Sequence, residues 1–479
     1  MTTNENTPPD EPIDILWNEE EKIRQKKYGP RINSPITDEI FSATKQPINV
    51  MGKIFGNKYT VTKDAYKGTY IYNGRYWQNV HIDYLQSLAL NCDSFAHTTD
   101  ARRKQTVSYA LDVACQLKIE WNKIANEEIA FYDCVHNIVT DKKRDHQWED
   151  YLNNVIPHRY KHYEKCPTWL RCLNDWFETE DKKLAFQEFF GYLLCSHTKY
   201  KTALLLLGES NAGKSVPCEI AKYMVGANAT CSVNPEEMDD AQLTAPLKEM
   251  KLNLVTELSS ASQLKDGGFK KIISGEGIQV NKKFALIETI TPTAKHIFAT
   301  NVLPTMNDMS DGIVNRLLII RFNRVVDKMN QDPDLQEKLK KEIEGIIVWA
   351  VEGLKRLVAN NGKFTVVEES KQLLREYKIS QNPVLNFIET SDEIEKDPEG
   401  SCALDQFRIR FEKFKGGREW SNQAVGRAMK ALGYVSMSKN NKRYYTGIKF
   451  KQHKNTVSNE TPPDVLFSES EKAPDVEWV

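Results

Sequence analysis

The spacing of apolar residues divides the chain into stretches of different period. Over Thr69–Val80 the sequence TYIYNGRYWQNV alternates apolar and polar residues about Asn73–Gly74, a turn pair, and predicts a small hairpin. Val107–Trp121 and Trp169–Leu194 carry apolar residues at three- and four-residue spacing and predict helices. From about 196 the pattern changes to short continuous apolar runs, Ala203–Leu207, Leu252–Thr256, Ala294–Thr300 and Arg316–Phe322, separated by helical stretches. Runs of this length suit strands buried on both faces of a parallel sheet. Residues 331–378 read as charged amphipathic helices.

These shifts predict a multidomain α/β protein. Residues 1–45, rich in Pro, Asn, Asp, Glu and Lys, read as a disordered arm, and 451–479, acidic with Pro462–Pro463, as a disordered tail. Between them lie a mainly helical N-terminal domain over 46–195, an α/β core over 196–326, a helical connector over 327–379 and a small module over 380–450. In the module, Leu404–Lys415 and Ser421–Leu432 are helical, with Ser421 as an N-cap and Gly433 as the stop. Strands Tyr434–Ser438 and Tyr444–Phe450 flank the basic turn Lys439-Asn-Asn-Lys442-Arg443. That order reads as a winged helix. Arg427 and Lys430, three apart on one helix, would stand beside the Lys439, Lys442 and Arg443 wing. The arrangement suits duplex DNA, with a protein-docking winged helix as the alternative.

Composition narrows the partners. The 479 residues carry a net charge of −1, so any contact with nucleic acid must come from local basic patches. The nine cysteines are scattered without CxxC spacing, which argues against zinc ribbons and disulfide frameworks and points to a reducing, cytoplasmic compartment. The opening MTTNENTPPDEP has neither a basic nor an apolar segment of a secretory leader. The most apolar runs, Ala203–Leu207 and Gly345–Leu354, are too short to cross a bilayer, so no membrane partner is expected.

The strongest chemical signal is Gly208-Glu209-Ser210-Asn211-Ala212-Gly213-Lys214-Ser215, which fits GxxxxGK[ST] at every defined position. It follows an apolar strand and opens a helix running on through Val216, so backbone N–H groups and a helix N-terminus can meet phosphate oxygens. ATP and Mg²⁺ are the ligands such a loop predicts. Lys214 is expected on the β- and γ-phosphates and the Ser215 hydroxyl on Mg²⁺. Glu257, at the end of the strand LNLVT, is the expected carboxylate, serving the metal, the attacking water or both. Asn301, at the end of Phe298-Ala-Thr, is expected to orient that water, a turn cap being the plainer alternative. Arg316, before the strand Leu317–Phe322, is placed to reach a nucleotide bound by the next subunit, with Arg321 and Arg324 as competitors.

GESNAGKS, LNLVTEL, TPTAKHIFATN and DGIVNRLLIIRF, in that order within about 115 residues, resemble superfamily 3 helicases of the AAA+ class. The similarity is to the helicase part of phage, plasmid and poxvirus primase-helicases, and FYDCVHNIVTD and CPTWLRCLNDWF extend it toward the N-terminus. The resemblance implies an AAA+ core, a hexameric ring, unwinding of DNA for replication of a phage or other mobile element, and activity in the host cytoplasm. No primase domain is expected in the 45-residue polar arm, so priming would fall to a separate primase or polymerase. In the family a hairpin between the acidic strand and the Asn strand grips single-stranded DNA, and the matching residues here are Lys282, Lys283 and Phe284. Origin recognition through the winged helix is a possible second role. The competing functions are a DNA packaging or remodelling ring ATPase and a slow ATP-dependent DNA-binding switch.

Overall fold

The computed structural model describes residues 61–63, 68–84, 86, 99–113, 119–259, 262–264, 266–281, 287–306, 311–327, 329, 331–416, 420–439 and 442–451. The expected arm over 1–45, the hairpin residues Lys282, Lys283 and Phe284, and all but the first residue of the expected tail lie outside them. The chain divides into two compact units between Leu374 and Arg375.

The first unit opens with the antiparallel strands β1 (Val61–Lys63), β2 (Thr69–Tyr72) and β3 (Trp77–Val80). The expected hairpin forms because Asn73 Oδ1 accepts the amides of Arg75 and Tyr76, each at 3.0 Å, and Gly74 takes φ 98°. Helix α1 (Asp100–Val113) covers the first part of the expected Val107–Trp121 helix, and Ile119–Trp121 are not helical. A second antiparallel sheet follows, β4 (Glu128–Ala130), β5 (Val135–Asn137) and β6 (Lys142–Arg144). This stretch therefore holds two three-stranded sheets beside its helices, where the pattern predicts one hairpin. Strands of three residues are too short to display an alternation. The expected helix Trp169–Leu194 is two, α2 (Pro167–Trp176) and α3 (Glu180–Leu193), broken where Phe177 turns extended at φ −123° and buries its ring.

The core is a five-stranded parallel sheet. Its members are β7 (Ala203–Gly208), β8 (Thr230–Cys231), β9 (Leu252–Val255), β13 (Lys295–Thr300) and β15 (Leu317–Phe322), in the order β15-β7-β13-β9-β8. All four pairings are parallel, as continuous apolar runs buried on both faces require. Helix α4 (Ser215–Val225) leaves the end of β7. On one face, Leu204, Leu206, Leu254, Ile297, Ala299 and Ile320 share a single apolar cluster with residues of α3 and α4. Two short pairs sit around the sheet: β10 (Gln263–Leu264) with β14 (Thr305–Met306), and the hairpin β11 (Ile278–Val280) with β12 (Glu288–Ile290). Helices α5 (Asp266–Ile273) and α6 (Asp311–Val314) precede β11 and β15.

After the sheet come α7 (Leu335–Lys341), α8 (Ile343–Ala359) and α9 (Glu368–Gln381), within which the two units divide. Helix α8 is the Gly345–Leu354 run, and its apolar face is buried against α3. A Cβ at Gly191 would stand 2.4 Å from Ala350 O, and one at Gly353 the same distance from Gln187 O. Only glycine lets these two backbones approach so closely.

The second unit packs α10 (Pro383–Thr390), α11 (Leu404–Lys415) and α12 (Asn422–Ala431) against an antiparallel sheet. The sheet order is β16-β18-β17, from β16 (Ile394–Ala403), β17 (Ser436–Lys439) and β18 (Lys442–Phe450). Ser421 caps α12, its Oγ accepting Ala424 N at 3.1 Å. β16 has no counterpart in the sequence pattern: IEKDPEGSCA is polar, contains Pro398, and shifts register between Lys396 and Ser401. No helix among the described residues is long and apolar enough to cross a membrane.

Candidate nucleotide site

β7 delivers the chain at Gly208, where a Cβ would stand 2.6 Å from Phe322 O of neighbouring β15. The loop that follows is turned by two left-handed positions, Asn211 at φ 64° and Gly213 at φ 90°. Gly213 packs on the Trp176 indole, where a Cβ would lie 3.0 Å from Nε1, so the loop rests on an aromatic floor formed with Phe177 and Phe322. Its tip is pinned to the chain leaving β15, with Val326 N donating to Asn211 O at 3.1 Å. Ser215 then takes the first position of α4, and Val216 N donates to Gly213 O at 3.2 Å. Pro217 falls in the first turn of that helix, where the missing N–H has no intrahelical partner to lose.

Lys214 Nζ directs its three donors at Gly208 O (2.5 Å), Glu209 O (2.7 Å) and Asn301 Oδ1 (2.9 Å). Burial holds its pKa below the ordinary lysine value, opposed by the negative charge of Glu257. Asn301 comes from the end of β13, which pairs with β7, and its Nδ2 donates to Ser210 Oγ at 3.3 Å. Glu257 comes from the end of β9, on the other side of β13. With Leu258, Ser259, Thr300, Asn301 and Val302 it lines a cleft of about 520 Å³. The fold thus gathers Ser210, Lys214, Glu257 and Asn301 at the carboxyl ends of three adjacent parallel strands.

Arg316 stands elsewhere. Its carbonyl accepts Ala203 N at 2.8 Å, so it lies at the amino ends of β7 and β15, one strand length from the loop. Six residues of strand separate the two edges by roughly 20 Å. The guanidinium is held by Ser274 Oγ at 3.0 Å and Gly312 O at 2.6 Å. Arg321 and Arg324 lie on the loop's side of β15, half or more exposed, near Glu369 and Asp175.

In the second unit Arg427 and Lys430 are exposed on α12. Lys439, Lys442 and Arg443 are exposed at the β17–β18 turn, with Lys439 opposite Lys442. Among the described residues none of these five has a carboxylate partner. The hydrophobic pattern carries no sign of the Trp176 floor or of the Val326 tether, because both join residues far apart in the chain.

A domain family described as "D5 N terminal like" matches residues 49–178. A family of unknown function, DUF5906, matches residues 206–316, the stretch holding the loop, Glu257, Asn301 and Arg316. Among solved structures the chain shares the fold of the C-terminal region of NrS-1. One apo form is 13% identical with a TM-score of 0.54, matching over 84% of this chain and 98% of that one. A second, described as residues 305–718, is 12% identical with a TM-score of 0.52 over 84% and 99%. At that identity the likeness concerns the fold alone.

Proposed function

We propose that this protein is an ATP-driven DNA helicase of the superfamily 3 AAA+ type, acting as a hexameric ring in replication of a phage or other mobile element. The observation that carries this reading is the Lys214–Asn301–Ser210 constellation beside the Glu257 cleft, at the carboxyl edge of a parallel sheet. The D5 N-terminal-like match and the NrS-1 likeness support it.

The residues suit a nucleoside triphosphate. Two left-handed positions curl the loop, and Lys214 is already drawn in among oxygen acceptors, where phosphate oxygens would compete for the same ammonium. Ser215 and Glu257 are the candidates to hold Mg²⁺, whose chemistry is to neutralise charge developing on the β- and γ-phosphates. Asn301 orients a water for attack on the γ-phosphorus, and Glu257 takes its proton as the β–γ bridging bond breaks and ADP leaves. Lys214 stabilises the charge that develops. Arg316, a strand length from its own loop, serves the site of a neighbouring copy.

Lys282, Lys283 and Phe284, between β11 and β12, are the proposed grip on single-stranded DNA. The second unit is read as a winged helix that binds duplex DNA through Arg427, Lys430, Lys439, Lys442 and Arg443. The test is ATP hydrolysis and strand displacement on forked DNA, with the mass of the assembly measured alongside. Hydrolysis stimulated by single strands, displacement and a hexameric mass are expected. Hydrolysis without displacement would turn the reading to a packaging or remodelling ring, and no hydrolysis would end it.

A further inference from the structure

Where its two strands meet the residues that connect them, the hairpin β11–β12 is held by two contacts from one segment. Asn281, the residue that follows the outgoing strand, donates its N–H to Ala241 O at 2.8 Å. Glu288, which opens the returning strand, accepts Lys248 Nζ at 2.7 and 2.9 Å on its two oxygens. Both side chains of that pair are only 16% exposed, so water screens the attraction far less than at an open surface. Lys248 also lies 3.9 Å from Glu249.

The segment that makes these contacts does not end there. Four residues beyond Lys248 it becomes β9, past whose far end stands Glu257. Its backbone is fixed on both sides, with Lys251 N donating to Ala229 O and Lys295 N to Lys251 O, each at 2.8 Å. Glu249, turned by a left-handed φ of 65°, receives the Tyr70 hydroxyl at 2.7 Å, and its carbonyl accepts Asn154 Nδ2 at 2.9 Å. Strand β2, within the stretch that matches the D5 N-terminal-like family, therefore buttresses the segment from the other side.

We infer that Lys248 and Glu288 are positioning residues that tie the hairpin bearing Lys282, Lys283 and Phe284 to the strand bearing Glu257. The pair makes hydrolysis answer to DNA. Neither residue lines the Glu257 cleft. A hairpin displaced by DNA pulls on Glu288, Lys248 follows, and the displacement enters β9 through a backbone already fixed on both edges. This inference rests on the helicase reading of the hairpin.

The experiment measures ATP hydrolysis with and without single-stranded DNA for full-length Lys248→Met, Glu288→Gln and the exchanged pair Lys248→Glu with Glu288→Lys. Lys248→Met keeps the apolar stem and so protects against misfolding, and a melting temperature is recorded for each variant. In the single variants hydrolysis without DNA should stay within about twofold of the parent, while stimulation by DNA falls roughly tenfold, as a misplaced but intact element would produce. The DNA concentration at half-stimulation should rise little, separating positioning from binding. The exchanged pair should regain at least half of the stimulation. Full stimulation in Lys248→Met, loss of the DNA-independent rate in a folded variant, or no recovery in the exchanged pair would each overturn the inference. Lys282→Ala with Lys283→Ala, assayed in parallel, keeps the two readings apart. If that variant is stimulated like the parent, the hairpin is not the grip; if it is not, and Lys248→Met is, only the positioning role falls.

Discussion

Lys214 Nζ lies 2.9 Å from Asn301 Oδ1, a contact made across adjacent parallel strands by residues 87 positions apart. It links the lysine proposed to bind phosphate to the group proposed to orient water. Replacing either partner should therefore have effects on turnover of the same kind. Lys214→Ala should lower ATP hydrolysis at least about 100-fold, the scale for losing one preorganised contact to developing charge. Glu257→Gln should bind nucleotide as the parent does and stop turnover, since the amide takes no proton. Hydrolysis at parental rate in either variant would sink the site.

Arg316 offers a test of assembly as well as of chemistry. Mixed rings of Arg316→Ala and Lys214→Ala chains contain interfaces with both an intact Lys214 and an intact Arg316. Such mixtures should hydrolyse ATP where each variant alone does not. Demonstrated mixed rings without recovered activity would remove Arg316 from the neighbour's site.

The exposed cations of the second unit should separate by role. Lys439→Ala, Lys442→Ala and Arg443→Ala together should weaken duplex binding for every sequence and reduce the salt slope by about one for each phosphate that is no longer neutralised. Arg427→Ala should instead narrow the gap between preferred and random duplex, if the side chain meets a base edge. Unchanged duplex affinity in the triple variant would make this unit a protein-docking module.

Stability should rise with pH from neutrality. Lys251 and Lys295 are 2% and 1% exposed, and among the described residues their ammonium groups meet Ser196 Oγ, the carbonyls of Cys195 and Thr293, and the Tyr192 ring. Burial brings them down to about 8 and about 7, against an ordinary 10.5, with the neighbouring Lys251 charge adding to the effect on Lys295. The unfolded chain then binds more protons than the folded one above about pH 7, so raising pH favours folding. His296, held at about 3, stays neutral in that range. Above the ordinary thiol value of 9.0 the trend reverses, because the seven thiols Cys134, Cys166, Cys172, Cys195, Cys218, Cys231 and Cys402, all raised by burial, together resist ionisation that the unfolded chain allows and outweigh the two lysines. The denaturant midpoint should be higher at about pH 8.5 than at about pH 7, and Lys295→Met should flatten the difference. An equal slope in that variant would show that other groups drive it.

By itself the sequence determined the elements whose signals are local. The loop Gly208–Ser215 between β7 and α4 could be read because its glycines, lysine and serine are contiguous. The strands β7, β9, β13 and β15 could be read because double burial demands unbroken apolar runs, and the start of α12 because Ser421 caps its own helix. Tertiary structure alone decided the strand order that sets Asn301 beside Lys214 and carries Arg316 to the opposite edge. It also decided that Lys251 and Lys295 are buried with no carboxylate partner among the described residues, and that Lys248 meets Glu288 across 40 residues. Strand β16 stayed hidden because an edge strand with a bulge needs no apolar alternation when its pairing is supplied by β18. Pairing across the sheet depends on which surfaces are buried together, and no local period encodes that.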